Sequence, residues 1–150
     1  MARSADALAL IERFADALWL EDGLSAQTLT AYRRDLRLLA GWLDGQGRTL
    51  VDARESDLLG YASARHASTR ASTANRRLAV FRRFYRWALR ERLVDADPTL
   101  RLLAARQALR VPKSLSEAQV EALLAAPDTA TPLGLRDRTM IELMYASGLR

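Results

Sequence analysis

The sequence predicts an all-α protein: a bundle of four to five helices, a linker, and two further helices. Three observations carry that prediction. Apolar residues recur at the i, i+3, i+4, i+7 spacing of one helix face along most of the chain. No segment shows the strict alternation of a half-buried strand. Serine, aspartate and glycine stand where those apolar stripes begin and stop.

The first helix is expected from about Ser4 to Leu20, with Leu8, Ile11, Ala15, Leu18 and Trp19 inward. Gly23, after Glu21 and Asp22, suits the left-handed position that closes a helix. Ser25 opens a second helix through Leu43, whose inner stripe is Leu29, Tyr32, Leu36, Leu39 and Leu43. Gln27, Thr30, Arg34 and Arg37 face the other way and make a short basic face. Gly41 is expected to interrupt this helix and Gly45-Gln46-Gly47 to break it. A weaker third helix covers about Asp52 to Ala64, anchored by Leu58, Leu59 and Tyr61, and His66 to Thr73 reads as a loop.

The fourth helix, Ser72 to Arg92, organises the rest. Ala74, Leu78, Phe81, Tyr85, Ala88 and Leu89 form its buried stripe, with Ser72 as the expected N-cap. Ser72, Asn75, Arg76, Ala79, Arg83, Arg86 and Arg90 fall on the opposite side. The small Ser72 and Ala79 would let the helix axis come close to another surface, as a helix lying in a DNA groove must. Asp97-Pro98 then predicts a short helix to about Ala105. Gln107 to Leu115 loses periodicity and reads as a linker carrying Arg110 and Lys113. Ser116 and Gln119 have capping-box spacing, with Leu115 and Val120 placed as a hydrophobic staple, for a helix to about Ala126. The last helix, Leu135 to Ser147, is expected to bury Ile141, Leu143, Met144 and Tyr145 and to close at Gly148.

Charge narrows the function. The chain has 150 residues, enough for one domain or a small domain and part of another, and a formal net charge of +5. Residues 65–110 hold twelve arginines against Glu91, Asp95 and Asp97, a local net of +9, while the remainder is net −4. Solvated helix faces usually mix signs, so this concentration points to an anionic partner. Lys113 is the single lysine among the 23 basic residues, and arginine's planar fork matches phosphates and guanine edges. Nucleic acid is therefore favoured over a membrane surface. No cysteine is present, which excludes disulfides and thiolate metal sites and fits a reducing cytoplasm. No apolar run approaches the roughly 18 residues of a membrane span, and the acids within residues 1–14 argue against a signal peptide.

Most catalytic constellations are missing. His66 is the only histidine and reads as an exposed loop residue. Met140 and Met144 read as packing, Asp95 and Asp97 as turn and cap residues. There is no P-loop, no GxGxxG and no metal-ligand cluster, so neither metal nor cofactor is expected.

Several ordered motifs resemble one family. Ser25-x-x-Thr28-x-x-x-Tyr32-x-x-Asp35-Leu36 is similar to the N-terminal, core-binding domain of the tyrosine recombinase (phage integrase) family. So is Asn75-Arg76-Arg77-Leu78-Ala79-x-x-Arg82-x-Phe84-Tyr85, followed by Asp97-Pro98. Leu115 to Val120, Leu135-Arg136-Asp137-Arg138 and Tyr145 to Arg150 resemble the opening of the catalytic domain. Within the family the likeness is greatest to the chromosome-dimer-resolving branch.

The resemblance implies a SAM-like core-binding domain over 1–109, a linker at 110–115 and the start of a catalytic domain over 116–150. It implies metal-free transesterification, in which a tyrosine attacks a DNA phosphodiester to give a 3′-phosphotyrosyl link. Arg150 matches the first catalytic arginine, and DNA contact carries over to Thr28, Arg34, Asn75, Arg76, Arg83, Arg86 and Lys113. The partners it implies are double-stranded DNA and a paralogous recombinase subunit in a heterotetramer, with no membrane. The family's lysine, its His-x-x-Arg pair, the later His or Trp and the nucleophile match no residue here, so this chain is expected to bind and not to cut. Two alternatives stay open: a phage or transposon integrase of the same chemistry, and a helical module whose arginine face docks an acidic protein.

Overall fold

A computed structural model describes residues 2–106 and 114–148. It divides into two compact units, Met1–Ala108 and Leu109–Arg150. Among the described residues every regular element is a helix: α1 (Ala2–Asp22), α2 (Ala26–Asp44), α3 (Glu55–Arg65), α4 (Ala71–Arg90), α5 (Glu117–Ala125) and α6 (Pro132–Ser147), with a single 3-10 turn at His66–Ser68 inside the expected loop.

In the first unit, α1 buries Ile11, Phe14, Ala15 and Leu18 and stops at Gly23, whose φ of 61° is the left-handed conformation expected there. Leu8 and Trp19 stay exposed, contrary to their expected inward positions, because Phe14 turns the buried stripe away from them. Ser25 caps α2, its Oγ accepting from the Thr28 amide at 3.3 Å. The helix runs unbroken through Gly41 to Asp44, so that glycine does not interrupt it. Leu29, Leu36, Leu39 and Leu43 are buried, and α1 and α2 pack as a hairpin across the short turn at Gly23. At α3 the Arg54 amide donates to Asp57 Oδ2 at 2.8 Å, and Leu58 and Tyr61 are buried while Leu59 is not.

The fourth helix completes the core. It begins at Ala71, one residue before the expected cap: Arg70 holds the N-cap position and the Ser72 hydroxyl is not used. Its buried face is wider than the expected stripe, adding Val80, Phe84 and Trp87 and leaving Leu89 exposed. Edge-to-face aromatic contacts explain the width: Phe84 meets Phe14 at 5.4 Å and Tyr85 at 5.1 Å, and Phe81 meets Tyr61 at 5.8 Å. Tyr85 is fully buried and donates its hydroxyl to the Leu50 carbonyl at 2.9 Å, tying α4 to the turn after α2. The C-terminus of α4 is closed by Arg92 at φ 56°, with the Leu93 amide donating to Ala88 O at 2.8 Å. An arginine takes the place usually left to glycine, which hides this stop from sequence patterning.

The expected helix from Pro98 to Ala105 does not form. Asp97 Oδ1 accepts from the Thr99 amide and hydroxyl, at 2.8 and 2.6 Å, and caps a single turn. Beyond it, α4 takes the backbone groups that a helix would use internally. Arg82 donates to the Leu102 carbonyl at 2.6 Å, and Asn75 forms a pair of bonds with the Ala105 backbone at 2.9 and 2.7 Å. The expected linker at Gln107–Leu115 lies mostly outside the described residues.

In the second unit the capping box forms as read: Ser116 Oγ accepts from the Gln119 amide and Gln119 Oε1 from the Ser116 amide. Helix α6 starts earlier than expected, at Pro132, capped by Thr131, whose Oγ1 accepts from the Gly134 amide at 3.0 Å. A Cβ at Gly134 would sit 1.9 Å from the Asp128 carbonyl oxygen, so only glycine fits. Leu143, Met144 and Tyr145 are exposed and Ile141 half-buried, against the expected burial. Within this unit α5 and α6 meet each other, and two helices form one layer, which by itself does not enclose an apolar face.

Tyr85 makes a test of the core. Burial raises its hydroxyl well above the ordinary tyrosine value of 10.0, with Asp97 and Asp57 adding to the shift. Folding therefore favours the neutral phenol, and that stabilisation is complete below the unfolded value and is lost as pH rises above it. Thermal melting is expected to drop steeply as pH passes about 10. Tyr85→Phe should flatten that dependence while costing about 1–3 kcal/mol at neutral pH for the unpaired Leu50 carbonyl. An unchanged alkaline profile in Tyr85→Phe would show that Tyr85 does not control it.

Candidate nucleic-acid interface

The arginines of α4 sort into two rows. Arg76, Arg83 and Arg90 stand two helical turns apart along one line, and each meets a carboxylate. Arg76 grips Asp35 through both terminal nitrogens, with Nη2 3.1 Å from Oδ1. Arg83 Nη2 lies 2.7 Å from Asp22 Oδ2. Arg90 forms a two-point pair with Glu21, both bonds 2.7 Å. Arg86, on the neighbouring row, is exposed, and among the described residues its side chain donates only to the Arg82 carbonyl one turn back, at 3.2 Å.

Asp35 is the pair that structure demands. It is 1% exposed, within α2's stripe between Tyr32 and Leu36, where a lone carboxylate would be costly. Arg76 satisfies it from the solvent side, and Arg77 Nε approaches Oδ1 at 3.5 Å from a position only 17% exposed. The outer pairs are solvent-facing. Burial opposes the charge on Arg83, but the bond and attraction of Asp22, with Tyr32 beside it, hold the guanidinium above the ordinary arginine value. Glu21 does the same for Arg90.

Between α1, α2 and α4 these side chains line a shallow hollow of about 620 Å³, with Arg83, Arg86 and Arg90 facing Glu21 and Asp22 across Ala79. Ala79 is exposed, as the sequence suggested, and its small side chain leaves the floor open. The hollow holds three cations against two carboxylates, and Glu91 beside it lies 3.5 Å from Arg90.

The remaining expected contacts are spread more widely. Thr28 pairs its hydroxyl with Ser25 Oγ at 2.9 Å in the first turn of α2. Arg34 is exposed on α2, and its side chain bonds to no other described residue. Asn75 is engaged with Ala105 as described above. Lys113 and Arg150 lie outside the described residues. Sequence reasoning missed the three acids. Asp35 had a signal, a carboxylate inside an otherwise apolar stripe. Glu21 and Asp22 had another: both sit in the last turn of α1, where the helix dipole disfavours negative charge. Among the described residues no group of three His, Cys, Asp or Glu could hold a metal ion, and no helix is long and apolar enough to cross a membrane.

Comparison with known proteins agrees with the helical architecture. Residues 11–92 match the phage integrase, N-terminal SAM-like domain. The chain is 66% identical over 140 residues to the tyrosine recombinase XerD of Ralstonia nicotianae, covering 93% of this chain and 46% of that protein. It is 49% identical over 142 residues to the XerD of Pseudomonas aeruginosa, covering 94% and 48%. With the XerD of Xanthomonas campestris it shares 50% over 141 residues, 93% and 44%. The chain thus spans about half the length of the curated relatives it matches. A domain match across most of the first unit and likeness to three recombinases along nearly the whole chain lead to one conclusion: this chain belongs to the phage integrase (tyrosine recombinase) family.

Proposed function

We propose that this chain is the DNA-binding part of a site-specific tyrosine recombinase, and that the outer faces of α2 and α4 lie against duplex DNA. The observation that carries the reading is the hollow in which Arg83, Arg86 and Arg90 converge over the small Ala79. Such a surface suits phosphates, which fix register, while neighbouring side chains read base edges. Arg34 and Arg86 can meet DNA without giving up a carboxylate. Thr28, Asn75, Arg76 and Arg83 would each exchange an existing bond, and Lys113 would follow the backbone from the linker.

On this reading residues 1–109 are the core-binding domain, 110–115 the linker and 116–150 the opening of the catalytic domain. Arg150 is its first catalytic arginine, a preformed cation placed where phosphorane charge develops. The nucleophilic tyrosine, outside this chain, forms the 3′-phosphotyrosyl link in the full-length enzyme. A paralogous, XerC-like subunit completes a heterotetramer on DNA. The biological task is resolution of chromosome dimers at cell division, in the cytoplasm. The likeness to three proteins named XerD supports this assignment over a phage integrase role.

Binding to duplex DNA at several salt concentrations tests it. About four to six phosphate contacts give a slope of log affinity against log salt near −4 to −5. Arg34→Gln and Arg86→Gln should each flatten it by about 0.9 if they meet phosphate, with circular dichroism unchanged. Arg76→Gln should behave differently, lowering stability to urea by about 1.5–3 kcal/mol because it uncovers the buried Asp35. A flat slope in the unaltered chain, or loss of an acidic protein partner in place of DNA, overturns the reading.

A further inference from the structure

The acids of the hollow are poorly explained as supports for their own helix. Glu21 and Asp22 occupy the last turn of α1, the negative end of its dipole, with no basic residue there to offset them. Each nonetheless has its carboxylate 2.7 Å from an α4 arginine that lines the hollow. A carboxylate holding a guanidinium in a two-point pair offers the geometry that a phosphate would offer. Glu21 does this for Arg90, and Asp22 holds one terminal nitrogen of Arg83.

We propose that Glu21 and Asp22 are specificity-determining residues that act as internal phosphate substitutes, restraining non-specific DNA binding by occupying Arg90 and Arg83. This rests on the duplex-DNA reading above and deepens it. With both carboxylates in place Arg86 is the one cation of the hollow without a carboxylate; without them Arg83 is released as well, and Arg90 keeps only its 3.5 Å contact with Glu91. A random duplex, whose backbone is not shaped to the hollow, must displace the carboxylates and gains little from it. A duplex that also presents the right base edges and groove shape recovers the cost through contacts elsewhere. The two acids thereby widen the gap between specific and non-specific affinity. They also hold both guanidinium groups oriented over the hollow before DNA arrives.

The test is the salt dependence of binding to a random-sequence duplex. Glu21→Gln and Asp22→Asn each remove the carboxylate held 2.7 Å from an arginine of the hollow and should steepen the slope by up to about 0.9, and the double variant by up to about 1.8. At low salt each single variant should bind about two- to five-fold tighter, the scale of one exposed ion pair. Asp52→Asn removes a carboxylate that accepts from Thr49 between α2 and α3, away from the hollow, and controls for net charge alone. A purely structural role for the acids would lower the melting temperature without moving the slope. If the unaltered chain binds with a steep slope but Glu21→Gln and Asp22→Asn match Asp52→Asn, the substitute role is overturned and the DNA reading survives. If the unaltered chain binds no duplex at any salt, both fall. Should Asp22→Asn fail to fold, Glu21→Gln decides alone, since its partner Arg90 is exposed on the last turn of α4.

Discussion

A carboxylate inside an apolar stripe constrains how the first unit is assembled. Asp35 sits on the buried side of α2, and the cations that meet it, Arg76 and Arg77, both belong to α4. Taking a carboxylate out of water without a partner costs far more than one core contact contributes. The rotation of α4 about its own axis is therefore constrained: Arg76 must reach Asp35, and Arg77 comes within 3.5 Å of it. With that rotation set, Phe84 and Trp87 meet the Phe14 ring of α1, and Phe81 meets the Tyr61 ring of α3. The same rotation carries Arg83, Arg86 and Arg90 out to solvent beside the end of α1. Core packing and surface charge are thus two consequences of one buried ion pair.

The arginines of α4 divide their labour along this geometry. Arg82, Asn75 and Arg76 act inward, holding the 102–105 segment and Asp35. Arg83 and Arg90 are held by acids, and Arg86 is left open. A raw count of positive charge therefore overstates what the surface offers a polyanion, since several of the cations are already compensated within the fold. Phosphate affinity depends on the uncompensated remainder, which is why the acids matter as much as the bases.

The two units differ in how much they enclose. The first buries a continuous set of apolar side chains contributed by all four of its helices. Among the described residues the second, with α5 and α6, has no buried residue in either helix, and Leu123, Leu133, Leu135, Leu143, Met140, Met144 and Tyr145 are exposed. Amphipathic patterning indicates which residues prefer burial, but burial needs an opposing surface, and two helices supply one contact and no third wall.

The sequence by itself determined the helical class, most helix positions, the caps at Ser25 and Ser116, and the stops at Gly23 and Gly148. These follow from local chemistry: spacing, a hydroxyl near an orphan amide, a residue free to take positive φ. It also showed the arginine-rich face of α4 and the small Ala79 within it, because charge and periodicity are written in order along the chain. The tertiary structure alone decided that 98–105 is not helical, that α4 buries three more large side chains than its stripe suggested, and that Arg92 closes it. It alone decided which arginines are occupied. Each of those outcomes depends on a partner distant in sequence, Asn75 to Ala105, Phe84 to Phe14, Arg76 to Asp35, Arg90 to Glu21. A periodic pattern carries the preference of a residue for burial or charge, but the group that meets it is chosen only when the helices pack.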